Sequence, residues 1–243
     1  RDELIISTKA GYNMWPGPYG EWGSKKYLTA SLDQSLKRLQ LDYVDIFYSH
    51  RFDPDTPLEE TADALHRAVQ QGKALYIGIS SYSSKQTLKM NKLLKEREIK
   101  CLIHQPSYSM LNRWIEKDLL NTLSKLNLGC IVFSPLAQGM LSEKYLSKIP
   151  LKSRAKENSS LDPKMITKNY KNKIINLKKI AQNRNQTISQ MALAWVLRHK
   201  QVTSALIGAR TLKQLDECLD SLKNLKFSKN ELNSIDKYAK EEN

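Results

Sequence analysis

The chain has 243 residues, 40% of them hydrophobic, with a formal net charge of +14 and a mean hydropathy of −0.54. That composition suits one large folded domain, 1–243, and excludes a spanning helix, because no run approaches the ~18 apolar residues such a helix needs. Three cysteines, Cys101, Cys130 and Cys218, carry no CxxC spacing; they read as reduced thiols in a reducing compartment and offer no metal site. No basic, apolar leader opens the chain, so a cytoplasmic location is expected.

Taken in order, LIISTK predicts a strand over 4–9. Ser24 caps a helix whose Leu28, Leu32, Leu36 and Leu39 recur at helical spacing. YVDIFYS follows as a strand, and Thr56, Pro57 and Glu59 supply an N-cap, a first-turn proline and a capping-box acid for a helix that Gly72 stops. LYIGIS (75–80), a helix through Leu88, Leu93 and Leu94, CLIHQ (101–105), a helix near 114–127 and GCIVFS (129–134) continue the alternation. Residues 136–168 are polar, basic and aperiodic, which predicts a long loop. Helices are expected near 169–183 and 188–199, the second opened by a Thr187–Gln190 capping box. VTSALIG (202–208) is the sixth strand, and Thr211 with Gln214 and Ser228 with Glu231 open the last two helices.

Strands alternating with helices predict a mainly parallel sheet with right-handed crossovers. No GxGxxG follows a strand, so a Rossmann site has no anchor. Nearly every strand ends on a polar residue: Lys9, His50, Ser80, Gln105, Ser134, and Gly208 with Arg210. That pattern favours the C-terminal face of a (β/α)8 TIM-type barrel. Six strands stand where a closed barrel needs eight, so the expectation is an N-terminally truncated barrel whose missing pair precedes Arg1. Two open sheet edges then predict low solubility. Asp45, early in its strand, reads as structural.

The charge is uneven. Residues 1–120 hold 17 Lys and Arg against 15 Asp and Glu, whereas 121–243 hold 22 against 10, mostly between Lys144 and Arg184. A localised positive field steers anionic ligands. A phosphorylated cofactor or substrate is one source of such a ligand, nucleic acid another, and a solvated lysine-rich surface needs neither. Nucleic acid is set aside, because no recognised module is present and the basic stretch lacks interleaved aromatics.

LIISTKAGYNMWPGPYG, DQSLKRLQLDYVDIFYSHRFDPDTPLEET, GKALYIGISSYS, HQPSYSMLNRW and FSPLAQGML together resemble an aldo-keto reductase. Within that family the chain is most similar to the bacterial branch of glyceraldehyde 3-phosphate reductases, itself related to the β subunits of voltage-gated potassium channels. The resemblance implies NADPH (or NADP+) held across the barrel face and hydride transfer to a carbonyl. It implies a small aldehyde or ketone substrate, such as glyceraldehyde 3-phosphate or methylglyoxal, with homo-oligomerisation left open and no nucleic acid or membrane partner. The alternative it implies is a regulatory NADP(H)-binding barrel without turnover.

Of the family's catalytic Asp, Tyr, Lys and His, Lys9 and His50 match the last two; the Asp and Tyr are expected upstream of Arg1. Ser80, Ser81 and Gln105 match the groups that grip the nicotinamide carboxamide, and Phe133 the aromatic that stacks on its ring. Ser134, Leu136, Gln138 and Gly139 match the pyrophosphate segment, Lys144 a basic residue closing over it, and Arg154 a partner of the adenosine end. Gly208, Arg210, Gln214 and Glu217 match the adenine and 2′-phosphate site. Cys218 departs from the asparagine common in relatives, and Arg210 from a common serine. Trp15 and Tyr19, in the loop after Lys9, are expected to wall the substrate pocket.

Overall fold

A computed structural model describes residues 1–151, 153–156 and 161–239. Part of the predicted loop 136–168 and the last four residues of the expected domain lie outside them. Contacts divide the chain into two compact units. Unit 1 is Arg1–Pro106 with Glu116–Cys130, and unit 2 is Ser107–Ile115 with the chain from Ile131 onward.

In unit 1, β1 (Ser7–Ala10), β2 (Val44–Ser49), β3 (Ala74–Ser80) and β4 (Cys101–Gln105) alternate with α1 (Lys25–Leu39), α2 (Leu58–Gln70) and α3 (Ser84–Glu96). Helix α4 (Leu119–Leu126) precedes β5 (Gly129–Val132). Each strand pairs in parallel with the next, Lys9 opposite Tyr48, Tyr48 opposite Gly78 and Ser80 opposite Gln105. Parallel strands covered by helices are apolar throughout, and Val44, Phe47, Ile77, Ile79 and Cys101 are all buried, as are Leu28, Leu32, Leu65, Met90 and Leu94 on the helices. Gly78 is a packing requirement, since a Cβ there would lie 2.4 Å from the Tyr48 ring.

Unit 2 contains the end of β5, whose Ile131 and Val132 pair in parallel with Ser204 and Ala205 of β6 (Ser204–Ala205). Its helices are α5 (Lys168–Asn183), α6 (Ile188–Leu197), α7 (Leu212–Asp220) and α8 (Lys229–Ala239). Helix α6 is the core, buried from Met191 to Val196. Trp195 lies between the Arg113 and Arg198 guanidinium groups, 4.4 and 3.5 Å from its ring centre. Arg113 in turn pairs with Asp236 at 2.6 Å.

The α/β class with six parallel strands is as expected, and Asp45 is structural: it accepts from the Ile6 N–H and pairs with Arg1. Several boundaries differ. Leu4 and Ile5 are exposed and lie outside β1, because the Asp45 carboxylate, not a strand partner, takes the Ile6 amide. Helix α2 has no side-chain cap; Asp53 takes the Thr56 amide instead. The helix near 114–127 is a 3-10 turn at Trp114–Glu116 and then α4. The predicted loop holds three 3-10 turns, at Ala137–Gly139, Glu143–Tyr145 and Pro163–Met165, and buries Leu141, Tyr145 and Leu161. The predicted strand 202–208 pairs over only two residues. At α7, Gln214 accepts from the Arg210 N–H, so its capping box is half-formed.

Candidate active site

In unit 1 the ends of four neighbouring strands place Lys9, His50, Ser80 and Gln105 together. Lys9 Nζ donates to Gln105 Oε1 at 2.5 Å, spanning 96 residues of sequence. Ser80 Oγ donates to the Gln105 carbonyl at 2.7 Å, and the Ser81 amide donates to the same oxygen at 3.3 Å. Ser81 itself is exposed, with a left-handed φ of 58°. Tyr48, opposite Lys9, also meets the Gln105 side chain, and burial first, then the nearby Cys101, pushes its phenol up to about 12.

Two cations shape this end of the sheet. Burial lowers the Lys9 ammonium below its ordinary value. Burial, then the charges of Lys9 and Arg51, hold His50 down at about 4. His50 is therefore a neutral imidazole at pH 7, able to donate a hydrogen bond from one ring nitrogen. A neutral donor beside an ammonium suits an oxygen that gains negative charge.

The loop after β1 is rich in aromatic residues. Trp15 lies tilted against Tyr27, ring centres 5.2 Å apart, and Lys26 lies over the Tyr19 ring at 4.7 Å. The loop residue in contact with His50 is Tyr12, edge-on at 4.5 Å between ring centres. Sequence reasoning missed Tyr12, Tyr48 and Arg51. The adjacency of Arg51 to His50 was the one signal that could have found Arg51.

In unit 2, Phe133, Ser134 and Gln138 border a cavity of about 560 Å³ that also touches Tyr170 and Lys173. Ser134, Ala137, Gln138 and Gly139 all have positive φ, from 46° to 93°, turning the backbone sharply between Leu136 and Met140. Lys144 Nζ lies 5.5 Å from the Tyr145 ring centre, and Arg154 is exposed. Gly208 has open space at its Cα, with no atom within 4 Å of an added Cβ. Arg210 is exposed just before α7, and Glu217 accepts from Thr187 Oγ1 at 2.8 Å.

Each unit offers side chains suited to a part of a nucleotide. Gln105 and Ser80 offer the mixed donors and acceptors a carboxamide needs, and the exposed arginine at a helix start suits a phosphate. A sequence profile of the aldo/keto reductase family matches residues 1–240, through both units. The chain belongs to the aldo/keto reductase family. It is therefore an oxidoreductase by descent. It is similar to the L-glyceraldehyde 3-phosphate reductase of Escherichia coli K12, with 58% identity over 98% of this chain and 70% of that protein. It is also similar to probable voltage-gated potassium channel β subunits: 32% identical to one from rice, over 91% of this chain and 69% of that protein, and 34% to one from Arabidopsis thaliana, over 89% and 67%.

Among the described residues no group of three or more His, Cys, Asp or Glu is placed to hold a metal, and no helix is long and apolar enough to cross a membrane.

Proposed function

We propose that this chain is an NADPH-dependent reductase of small aldehydes and ketones, glyceraldehyde 3-phosphate and methylglyoxal among them, working in the cytoplasm. The observation that supports it most is the convergence of Lys9, His50, Ser80 and Gln105 at adjacent strand ends, in a chain so similar to a glyceraldehyde 3-phosphate reductase. Bound NADPH would supply the hydride. His50 donates a hydrogen bond to the substrate carbonyl and fixes its orientation. Lys9 places positive charge where the oxygen becomes anionic, and the proton that completes the alcohol comes from the family's catalytic tyrosine, whose phenol a neighbouring lysine acidifies. Ser80 and Gln105 hold the nicotinamide amide, and Phe133 packs against its ring. Ser134, Leu136, Gln138, Gly139 and Lys144 take the pyrophosphate. Arg154, Gly208, Arg210, Gln214 and Glu217 take the adenosine end, with Arg210 on the 2′-phosphate. Trp15 and Tyr19 sit in the loop that flanks the substrate.

NADPH oxidation in the presence of glyceraldehyde 3-phosphate or methylglyoxal tests this directly. Turnover is expected with at least one of them. Failure with every small aldehyde, while NADPH still quenches the protein's fluorescence, would instead establish the second reading, a nucleotide-binding regulatory protein. That reading is supported by the similarity to probable voltage-gated potassium channel β subunits, at 32% and 34% identity.

A further inference from the structure

We propose that Arg51 is a positioning residue: it clamps the loop 11–23 so that Tyr12 stands against His50 and fixes the imidazole that meets the carbonyl. The guanidinium lies between two rings, 4.2 Å from the centre of Tyr12 and 3.6 Å from that of Trp22. Its Nε donates to the Gly11 carbonyl at 2.8 Å, and Nη2 reaches Glu21 Oε2 at 2.6 Å. The Trp22 amide donates to the same Gly11 carbonyl at 3.2 Å. One planar cation thus ties the first residues of the loop to its last ones. Only a guanidinium can stack on two faces while donating in its own plane.

The clamp has a purpose at its tip. Tyr12 is 51% exposed, yet its backbone carbonyl accepts from Tyr27 Oη and its ring face is covered by Arg51. Its ring meets His50 at an interplanar angle of 73°. Gly11 lets the backbone pass: its φ is +158°, and a Cβ there would sit 2.9 Å from the His50 Cβ. At the far end Gly23 is tied to Asp53 and Thr61. His50 follows β2 directly, and among the described residues its ring makes no side-chain hydrogen bond, so ring contact with Tyr12 is what limits its rotation. A catalytic donor misplaced by even 1 Å loses roughly tenfold to a hundredfold in rate.

This inference rests on the reductase reading for its kinetic consequence, but the clamp itself can be read without turnover. The chain has four histidines, so the His50 ring protons can be assigned in an NMR spectrum by comparison with His50→Gln. Stacked edge-on to Tyr12, they carry a ring-current shift. We expect Arg51→Met to abolish that shift as fully as Tyr12→Leu does. Arg51→Lys, which keeps the charge and is the gentler change should Arg51→Met not fold, recovers part of it. In turnover, kcat/KM with methylglyoxal falls roughly tenfold to a hundredfold in each single variant. The Tyr12→Leu, Arg51→Met double variant is no worse than Tyr12→Leu alone, because both act through one contact. NADPH affinity stays unchanged. An unmoved His50 signal in Arg51→Met overturns the proposal, as does additivity of the two substitutions. A wild-type protein that turns over no aldehyde would sink the reductase reading and leave the clamp to the NMR result.

Discussion

The charge of Lys9 is felt at His50. Burial first, then the Lys9 ammonium and Arg51, hold His50 down at about 4, and Lys9 points its own proton at Gln105. Lys9→Met should therefore do two things. It removes charge stabilisation of a developing oxyanion, an effect of about 10²–10³ in kcat, and it raises the His50 pKa. A pH–rate profile whose acid limb stays in place in Lys9→Met would show that the two groups are not coupled. His104 makes a related point about stability. It is fully buried on β4, its Nε2 on the Tyr82 carbonyl and its Nδ1 without a hydrogen-bond partner. Burial holds it at about 4 instead of 6.5. The unfolded chain therefore binds a proton that the folded chain refuses between those values, and stability falls as pH drops through that window. The share owed to His104 is about 3 kcal/mol. Denaturant midpoints at pH 7 and pH 4.5, compared between the wild type and His104→Asn, measure it: the variant should lose that share and keep the share of His50, which is depressed into the same window.

Helix starts were legible where both partners of a cap lie within one turn. Thr187 accepts from the Gln190 amide while Gln190 Oε1 accepts from Thr187 N–H, and Ser228 and Glu231 repeat the pattern. The same logic failed at Thr56 and Gln214, where residues outside the motif offered a nearer partner: Asp53 in one case, the Arg210 amide in the other. Strand-end residues were legible because apolar runs stop where the chain surfaces, but the Lys9–Gln105 hydrogen bond was not, since it joins the ends of β1 and β4, which are not paired with each other. The aromatic clamp was not, since Tyr12, Trp22 and Arg51 meet through loop geometry that no periodicity encodes. The predicted loop 136–168 misled for a similar reason: 3-10 turns bury single residues such as Leu141 and Tyr145 without a repeating apolar period. Thr187 also reaches beyond its own helix, donating to Glu217 on α7. Thr187→Ala removes the cap and that link together and should cost about 1–2 kcal/mol in a urea melt. Thr187→Ser, which keeps the hydroxyl, should lie close to the wild type, and equal loss in both would place the energy in the methyl group instead.

Across the whole molecule the charge is the feature that local structure leaves unexplained. Residues 121–243 carry 22 basic against 10 acidic side chains, and several of the lysines have their own partners, as Lys178 does in Glu143. Arg210 is exposed at the start of α7, where a phosphate would meet both a guanidinium and helix N–H groups. If that field serves the 2′-phosphate, NADPH and NADH must respond differently to salt, because the second lacks the group the field would recognise. Screening shortens to about 10 Å at 0.1 M ionic strength. NADPH affinity should therefore fall roughly threefold to tenfold between low and moderate salt, and NADH affinity less. Arg210→Ala should weaken NADPH and bring its salt slope down to that of NADH, which a fluorescence titration at several salt concentrations reads directly. Parallel slopes for the two dinucleotides in the wild-type protein would mean that the basic half of the chain is a solvated surface with no part in choosing the cofactor.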